Sequence, residues 1–465
     1  MKTESTAFLE DSAKVAADVP LRDFLRGALG RYGTTRKGTE ERFGDWKAAR
    51  EAAAAIKWEA IEHLDRHLEN FADNLAKRGV QVHWAPSGAE ARDIILGIVR
   101  KRGARSIVKS KCMTTEEIHL NDLLEKEGFG VVESDLGEYI QQLRKEPPFH
   151  FVFPCMHVLR GDISKLFHDH LGSAPTNEPE ELTNIARRVL REVYGKADVG
   201  ISGANFGVAE TGMISITENE GNARLTTSLP KCHIAVMGIE KIIPKLADLA
   251  ILLPILGTAG TGQLITCYNS MIGGPKLPGE ADGPEEFHVV LLDNHRTRLL
   301  ADPEQRDALR CIRCGACLNV CPVYKNIGGF SYRTTYQGPI GSVITPHLRG
   351  LQDWKHLSYA SSLCGACSDA CPVGIDLHHH LLRNRRNGTK AKPKWIEKVI
   401  FSGFAVAMRR PWMYRMAFGF AAFGQNITKF LRGSKIDPLK AWTGTRDLPD
   451  PARKSFKQLW KERQP

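Results

Sequence analysis

Cys311-Ile312-Arg313-Cys314-Gly315-Ala316-Cys317-Leu318-Asn319-Val320-Cys321-Pro322 decides how this chain is read. The spacing is C-x2-C-x2-C-x3-C-P. Thiolates at i, i+3 and i+6 can wrap three corners of one iron–sulfur cubane, and soft thiolate sulfur is the ligand that iron takes in such clusters. Pro322 fixes its own φ and pushes Cys321 towards an extended backbone. The chain therefore turns away at Cys321, which frees that thiolate for a second cluster.

A partner run exists. Cys364-Gly-Ala-Cys367-Ser-Asp-Ala-Cys371-Pro372 repeats the pattern from its second ligand onward. Aligned on Cys-Pro, its first position falls on Ser361. If ligands cross over as in two-cluster ferredoxins, a [4Fe-4S] cluster takes Cys311, Cys314, Cys317 and Cys371. The second site takes Cys321, Cys364 and Cys367, which is three thiolates. Its fourth corner stays open between the Ser361 oxygen, water, a partner's ligand and nothing, so the site holds [4Fe-4S] or [3Fe-4S]. Zinc sites usually separate two Cys pairs by a longer loop, and seven Cys with two Cys-Pro endings fit that poorly. Disulfides need an oxidising compartment, which nothing in the sequence implies.

A length of 465 residues allows two or three domains. The opening Met1-Lys-Thr-Glu-Ser-Thr-Ala-Phe-Leu-Glu-Asp11 has early acids and no apolar core, so it reads as no signal peptide. With reduced thiols preferred, the expected location is the cytoplasm. From Asp376 to the end there are 20 Lys or Arg against 6 Asp or Glu, a surplus of 14, which leaves residues 1–375 at −3 of the total +11. Such a basic tail expects an anionic partner: an acidic subunit, nucleic acid, or the inner face of a membrane touched peripherally.

Residues 1–70 read as a helical, polar segment with Trp46, Trp58, Ile61 and Leu64 as its buried stripe and no chemistry. Residues 71–298 alternate short strands and helices. Strands are expected at 79–85, 106–110, 130–134, 213–217 and 233–238, and helices at 89–101, 116–128 and 242–246. That alternation predicts an α/β fold, a parallel sheet with helices on its faces. Residues 299–392 form the cluster domain, with Tyr332, Tyr336 and Trp354 expected to shield the clusters. Within it His378, His379 and His380 fall on one helix, where adjacent residues face different directions, so they read as solvated surface rather than a chelate. Residues 393–465 read as a basic helical tail. Its apolar runs, 399–408 and 416–428, are too short to span a membrane and suit a helical hairpin or a docking face.

The run Gly203-Ala-Asn-Phe, Ala209-Glu-Thr-Gly212, Asn219-Glu-Gly-Asn222, Leu229-Pro-Lys-Cys-His233 and Gly238-Ile-Glu-Lys241 resembles the lactate-utilisation (LUD) domain, and Ser134-Asp-Leu-Gly-Glu-Tyr-Ile140 is similar to it as well. A LUD domain followed by a ferredoxin-type double motif is the layout of the lactate utilisation protein B family. The resemblance implies a parallel sheet like those of sugar isomerases and CoA transferases, followed by a helical ferredoxin module. It also implies a cytosolic complex that oxidises L-lactate to pyruvate, with a cysteine-rich iron–sulfur subunit and a second LUD-family subunit as partners. This chain would then be its electron-transfer subunit.

An alternative expectation places a small hydroxy or keto acid on the LUD domain itself, with the clusters as electron acceptor. Its candidate site is Glu210, Asn222 and the Gly257–Gly262 run, read as a Gly/Thr loop offering N–H groups to an anion. No G-x-G-x-x-G followed by an acid occurs, and no flavin signature. A nucleic-acid role for the tail is not expected, since it lacks interleaved aromatic and basic strands. Cys112, Cys155, Cys232 and Cys267 read as small buried hydrophobes, one of which could complete the second site.

Overall fold

The structure is a computed structural model that describes residues 3–391, 395–432, 434, 436–437, 439–443, 446–450, 452 and 454–463. It divides into two units, residues 1–391 and 392–465.

Among its described residues the larger unit has ten strands: β1 (Gln81–Ala85), β2 (Ser106–Lys109), β3 (Gly130–Glu133), β4 (Val199–Gly203), β5 (Phe206–Val208), β6 (Met213–Glu218), β7 (Cys232–Gly238), β8 (Ile242–Ile243), β9 (Tyr268–Ile272) and β10 (Glu286–Leu292). Six make one sheet in the order β1-β10-β7-β4-β2-β3, every pair parallel. Side chains alternate across it. Ile234, Val236, Val290 and Leu292 pack on one face with Ala91, Ile95, Val99, Leu120 and Leu124 of the crossover helices. Ala235, Met237, Phe287, Val289 and Leu291 pack on the other with Leu64, Leu68, Phe71 and Leu75. Burial on both faces is why β7 and β10 are almost continuously apolar. A second, mixed sheet runs β8-β5-β6-β9 and adds Ile214, Ile216 and Ile242 to the second core.

Three expected elements differ. Residues 242–246 are not a helix: Ile242 and Ile243 pair in parallel with Gly207 and Val208 as β8, and a 3-10 turn, Leu246–Asp248, follows Pro244. The 257–262 run is not a loop but the last turn of the helix Leu249–Thr261, capped by Gly262 at φ +75°. Tertiary contact decides this, because Tyr32 donates its hydroxyl to the Ala259 carbonyl and Thr39 donates to that of Gly262 at 2.6 Å. The expected helix over 116–128 is broken by His119, at φ +52°, into Met113–Glu117 and Leu120–Lys126.

Four helices precede the sheet: Glu4–Ala17, Val19–Arg42, Trp46–Glu62 and Leu64–Lys77. Ile61 and Leu64 are buried, whereas Trp46 and Trp58 are half-buried. Arg306 and Arg310 stack their guanidinium groups on the Trp58 ring. In the cysteine region the helices Ala316–Val320 and Ala366–Ala370 pack together, and Gly338–Arg349 packs against Leu377–Ala391. Tyr332, Tyr336 and Trp354 are all buried in this core. His380 corrects the solvated reading: it is fully buried with Nε2 2.7 Å from Asp307, while His379 stays exposed and His378 Nδ1 meets Ser368 Oγ at 2.7 Å.

In the smaller unit, the helices Trp395–Arg409 and Pro411–Thr428 pack against each other with none of their residues buried. Among the described residues no helix is long and apolar enough to cross a membrane.

Candidate metal centre

The two cysteine runs build the same turn twice. Arg313 and Leu363 both lie in the left-handed region, at φ +59° and +57°, and Gly315 and Gly365 follow at +79° and +83°. A one-turn helix comes next, and Cys321 and Cys371 leave it extended at φ −71°, ψ 120° and φ −69°, ψ 118°. Glycine supplies the left-handed step that lets the backbone fold round a central group. The Arg313 N–H points at Cys311 Sγ, 3.4 Å away, and the Leu363 N–H points at Ser361 Oγ, 3.1 Å away. The serine oxygen thus occupies the place that sulfur occupies in the first turn.

The thiols crowd one another. Burial pushes the Cys314 thiol up to about 12, and Cys311 and Cys371 add to the rise. Burial raises the Cys317 thiol well above its ordinary value, and Cys311, Cys314 and Cys367 beside it add to the rise. Cys367 is pushed up to about 12 by burial, with Cys321 and Cys364 next to it. The thiol that bears on Cys321 is Cys364, and those that bear on Cys367 are Cys321 and Cys364, not Cys112, Cys155, Cys232 or Cys267. Of the seven free thiols in two adjoining groups, the five buried ones, Cys314, Cys317, Cys321, Cys367 and Cys371, resist ionisation unless a cation joins them. Iron is such a cation, and the N–H groups aimed at Cys311 and at Cys371 (from Ile375, 3.3 Å) are what a sulfur-ligated cluster takes from its surroundings. The donor set therefore fits iron–sulfur clusters. The second group is the more open: Cys364 is exposed, whereas Cys314 and Cys317 are buried.

The amino-terminal helices contribute here, although their sequence suggested no chemistry. Arg50 donates two hydrogen bonds to the Cys371 carbonyl, at 2.7 and 3.1 Å, and Arg36 donates to that of Ala370 at 3.0 Å. Basic residues with helical spacing usually mark a solvated face, so no signal in the sequence separates these two from their neighbours.

The first thiol group lies against the carboxyl edge of the parallel sheet, where open α/β folds place their ligands. Glu240, two residues past β7, accepts from Arg296 at 2.5 Å and from Arg313 at 3.2 Å. Arg296 also grips Glu117 at 2.8 and 2.9 Å, and Tyr336 donates to Glu117 at 2.7 Å. The three cations around Glu240 hold its carboxyl at about 2 despite burial. Lys57 and Lys241 stand beside Cys311 too. Burial lowers them to about 7 and about 8, and Arg313 repels both.

The acid-binding candidates sit elsewhere. Glu210 is exposed and its carboxylate accepts the Leu246 N–H at 2.8 Å. Asn222 is buried in the first turn of the helix Asn222–Ser228, whose amino end is held by Glu218 on the N–H groups of Ala223 and Arg224. The N–H groups of the 257–262 run belong to a helix.

A parallel α/β sheet with a double Cys-Pro module on its carboxyl edge defines a LUD-type protein with a two-cluster iron–sulfur module. The family models agree: the LUD domain matches residues 68–292, the 4Fe-4S dicluster domain residues 307–375, and the C-terminal region of lactate utilisation protein B residues 379–465. Lactate utilization protein B of Bacillus velezensis is 42% identical over 100% of this chain and 98% of its own. The protein of that name in Bacillus subtilis matches at the same identity and coverage, and that of Bacillus licheniformis is 43% identical over 95% and 94%. A crystal structure of a DUF162 family protein from Deinococcus radiodurans covers 49% of this chain at 14% identity and a TM-score of 0.28. The chain belongs to the lactate utilisation protein B family.

Proposed function

We propose that this chain acts in lactate utilisation as the iron–sulfur electron-transfer subunit of a multi-subunit complex that oxidises L-lactate to pyruvate. The observation that carries the reading is the placing of the two thiol groups. One adjoins the carboxyl edge of the LUD sheet, the other adjoins the first and opens to the surface at Cys364. Cys311, Cys314, Cys317 and Cys371 would hold a [4Fe-4S] cluster, and Cys321, Cys364 and Cys367 a [4Fe-4S] or [3Fe-4S] cluster. Bound clusters supply one-electron transfer. Lactate oxidation releases two electrons, so two such sites in series suit a relay between a two-electron donor and an acceptor on another subunit.

Iron and sulfide counting with EPR on anaerobically purified protein tests this. A count of about eight that Ser361→Ala lowers to about seven makes the serine oxygen the fourth ligand of site two. A count of about seven that Ser361→Cys raises to about eight, with loss of the oxidised three-iron signal, makes the native site a three-iron centre. A wild-type count of about four removes the second site and with it the relay.

The partners inferred are a cysteine-rich iron–sulfur subunit and a second LUD-family subunit, with peripheral contact at the inner face of the membrane through the basic tail and no role for nucleic acid. The hairpin of residues 395–428 exposes Phe401, Phe404, Phe418, Phe420 and Phe423 by half or more, an apolar surface of the kind subunits bury. Phe404→Glu with Phe420→Glu is expected to cut recovery of the partner subunits with the tagged chain at least tenfold while iron content stays constant. Unchanged recovery would remove the hairpin from the interface.

A further inference from the structure

At the carboxyl edge, beyond the cysteines, a second group of charges closes the ends of β2 and β3. Lys109 is the last residue of β2 and Glu133 the last of β3. Glu116 lies on the short helix after β2, and Glu138 on the helix Leu136–Arg144 after β3. Lys109 is fully buried, with Nζ 2.7 Å from Glu133 Oε1 and 3.1 Å from Glu116 Oε1. Asn121 donates to that same Glu133 oxygen at 2.6 Å, which leaves Glu133 Oε2 buried without a partner.

Glu138 is the unexplained member. It is 3% exposed, and neither of its carboxylate oxygens has a hydrogen-bond partner. Yet one oxygen each of Glu116, Glu133 and Glu138 lies within 4.8 Å of the others. Burial and the Glu133 charge drive the Glu138 carboxyl well above the ordinary range. Three carboxyl groups thus share one ammonium at hydrogen-bond distance where water is largely excluded, and buried carboxyl oxygens without a partner are costly unless something satisfies them.

We propose that Glu116, Glu133 and Glu138 form a divalent-cation site on the LUD domain, with Lys109 as the ammonium that holds two of the three carboxylates in place. The ion takes the place of the Glu138 proton and satisfies the carboxylate oxygens that have no partner. Carboxylate oxygen is the donor that Mg²⁺ and Mn²⁺ take, and ligand oxygens on such an ion stand no more than about 4–5 Å apart, a limit that these oxygens meet. Glu116, whose side chain is 24% exposed, opens the site to solvent. Cys112 stands near both Lys109 and Lys241, which puts the ion on the same edge as the first thiol group. The inference uses no cysteine ligand and stands apart from the electron-transfer reading.

Full-length, cluster-loaded protein titrated with Mn²⁺ tests it, with the EPR signal of free Mn²⁺ as the readout and iron content as the control. One Mn²⁺ bound per chain, displaced by Mg²⁺, with affinity at least tenfold lower in Glu138→Gln, is expected. Gln keeps the shape and neutrality of a protonated carboxyl, so a merely structural Glu138 would tolerate it. Absence of binding, or equal binding by wild type and Glu138→Gln at unchanged iron content, overturns the proposal.

Discussion

Cys314→Ser is expected to remove about half of the bound iron, from about eight atoms to about four, and to stop growth on L-lactate. Cys314 is 8% exposed, and its thiol is surrounded by Cys311 and Cys371 in a core that also holds Cys317, Leu318 and Tyr324. No thiol outside the two runs bears on it as those do, so no substitute ligand is at hand. A serine hydroxyl is a harder and poorer donor to iron than thiolate. Losing this site severs the relay at the LUD edge, so lactate oxidation by the assembled complex should fall at least a hundredfold. Cys112→Ser is the control, since Cys112 sits on the sheet edge near Lys241 and outside both runs. It should leave the iron count unchanged. Lactate oxidation that persists with site one empty would sink the electron-transfer role.

The cysteine runs were legible because ligand spacing is local: the turn, the glycine and the Cys-Pro exit all lie within twelve residues. Ser361 was legible by the same register, and its oxygen stands where Cys311 places sulfur. The parallel sheet was legible because β2, β3 and β7 are short apolar runs between helices of helical period. The 257–262 run was misread because local composition says turn while Tyr32 and Thr39, more than 200 residues earlier, stabilise a helix. His380 was misread for the same reason, since its partner Asp307 lies 73 residues before it and no helical periodicity records that contact. Glu240 and Lys241 belong to a run that resembles the LUD domain, yet their chemistry depends on Arg296 and Arg313, which only the fold brings to them. Ion pairs between distant residues leave no spacing to read.

Arg296→Met is expected to destabilise the larger unit by about 3–5 kcal/mol, the cost of stripping the partner from buried charge. Arg296 is 1% exposed and ties Glu117 on one side to Glu240 on the other. Without it two buried carboxylates face each other across an apolar side chain, and Arg313 is the one cation left at hydrogen-bond distance from Glu240, with Lys241 nearby. Against a total stability of about 5–15 kcal/mol this is a large fraction, so the melting transition should drop sharply. Adding Glu117→Gln should recover part of the loss, because it removes the charge left uncompensated. The acid limb carries the same signature. Glu240 is held at about 2 in the folded chain against an ordinary 4.5. A depressed carboxyl contributes stability that is fully present above the unfolded pKa and is lost as pH falls through the folded one. That contribution, about 3 kcal/mol, should disappear between roughly pH 4.5 and 2 in the wild type. In Arg296→Met the Glu240 carboxyl rises towards its ordinary value, so the decline over that window flattens. Tryptophan-monitored unfolding under anaerobic conditions measures both, and equal melting temperatures with equal acid limbs would show that the Glu117–Arg296–Glu240 bridge contributes nothing to holding the LUD edge against the cysteine module.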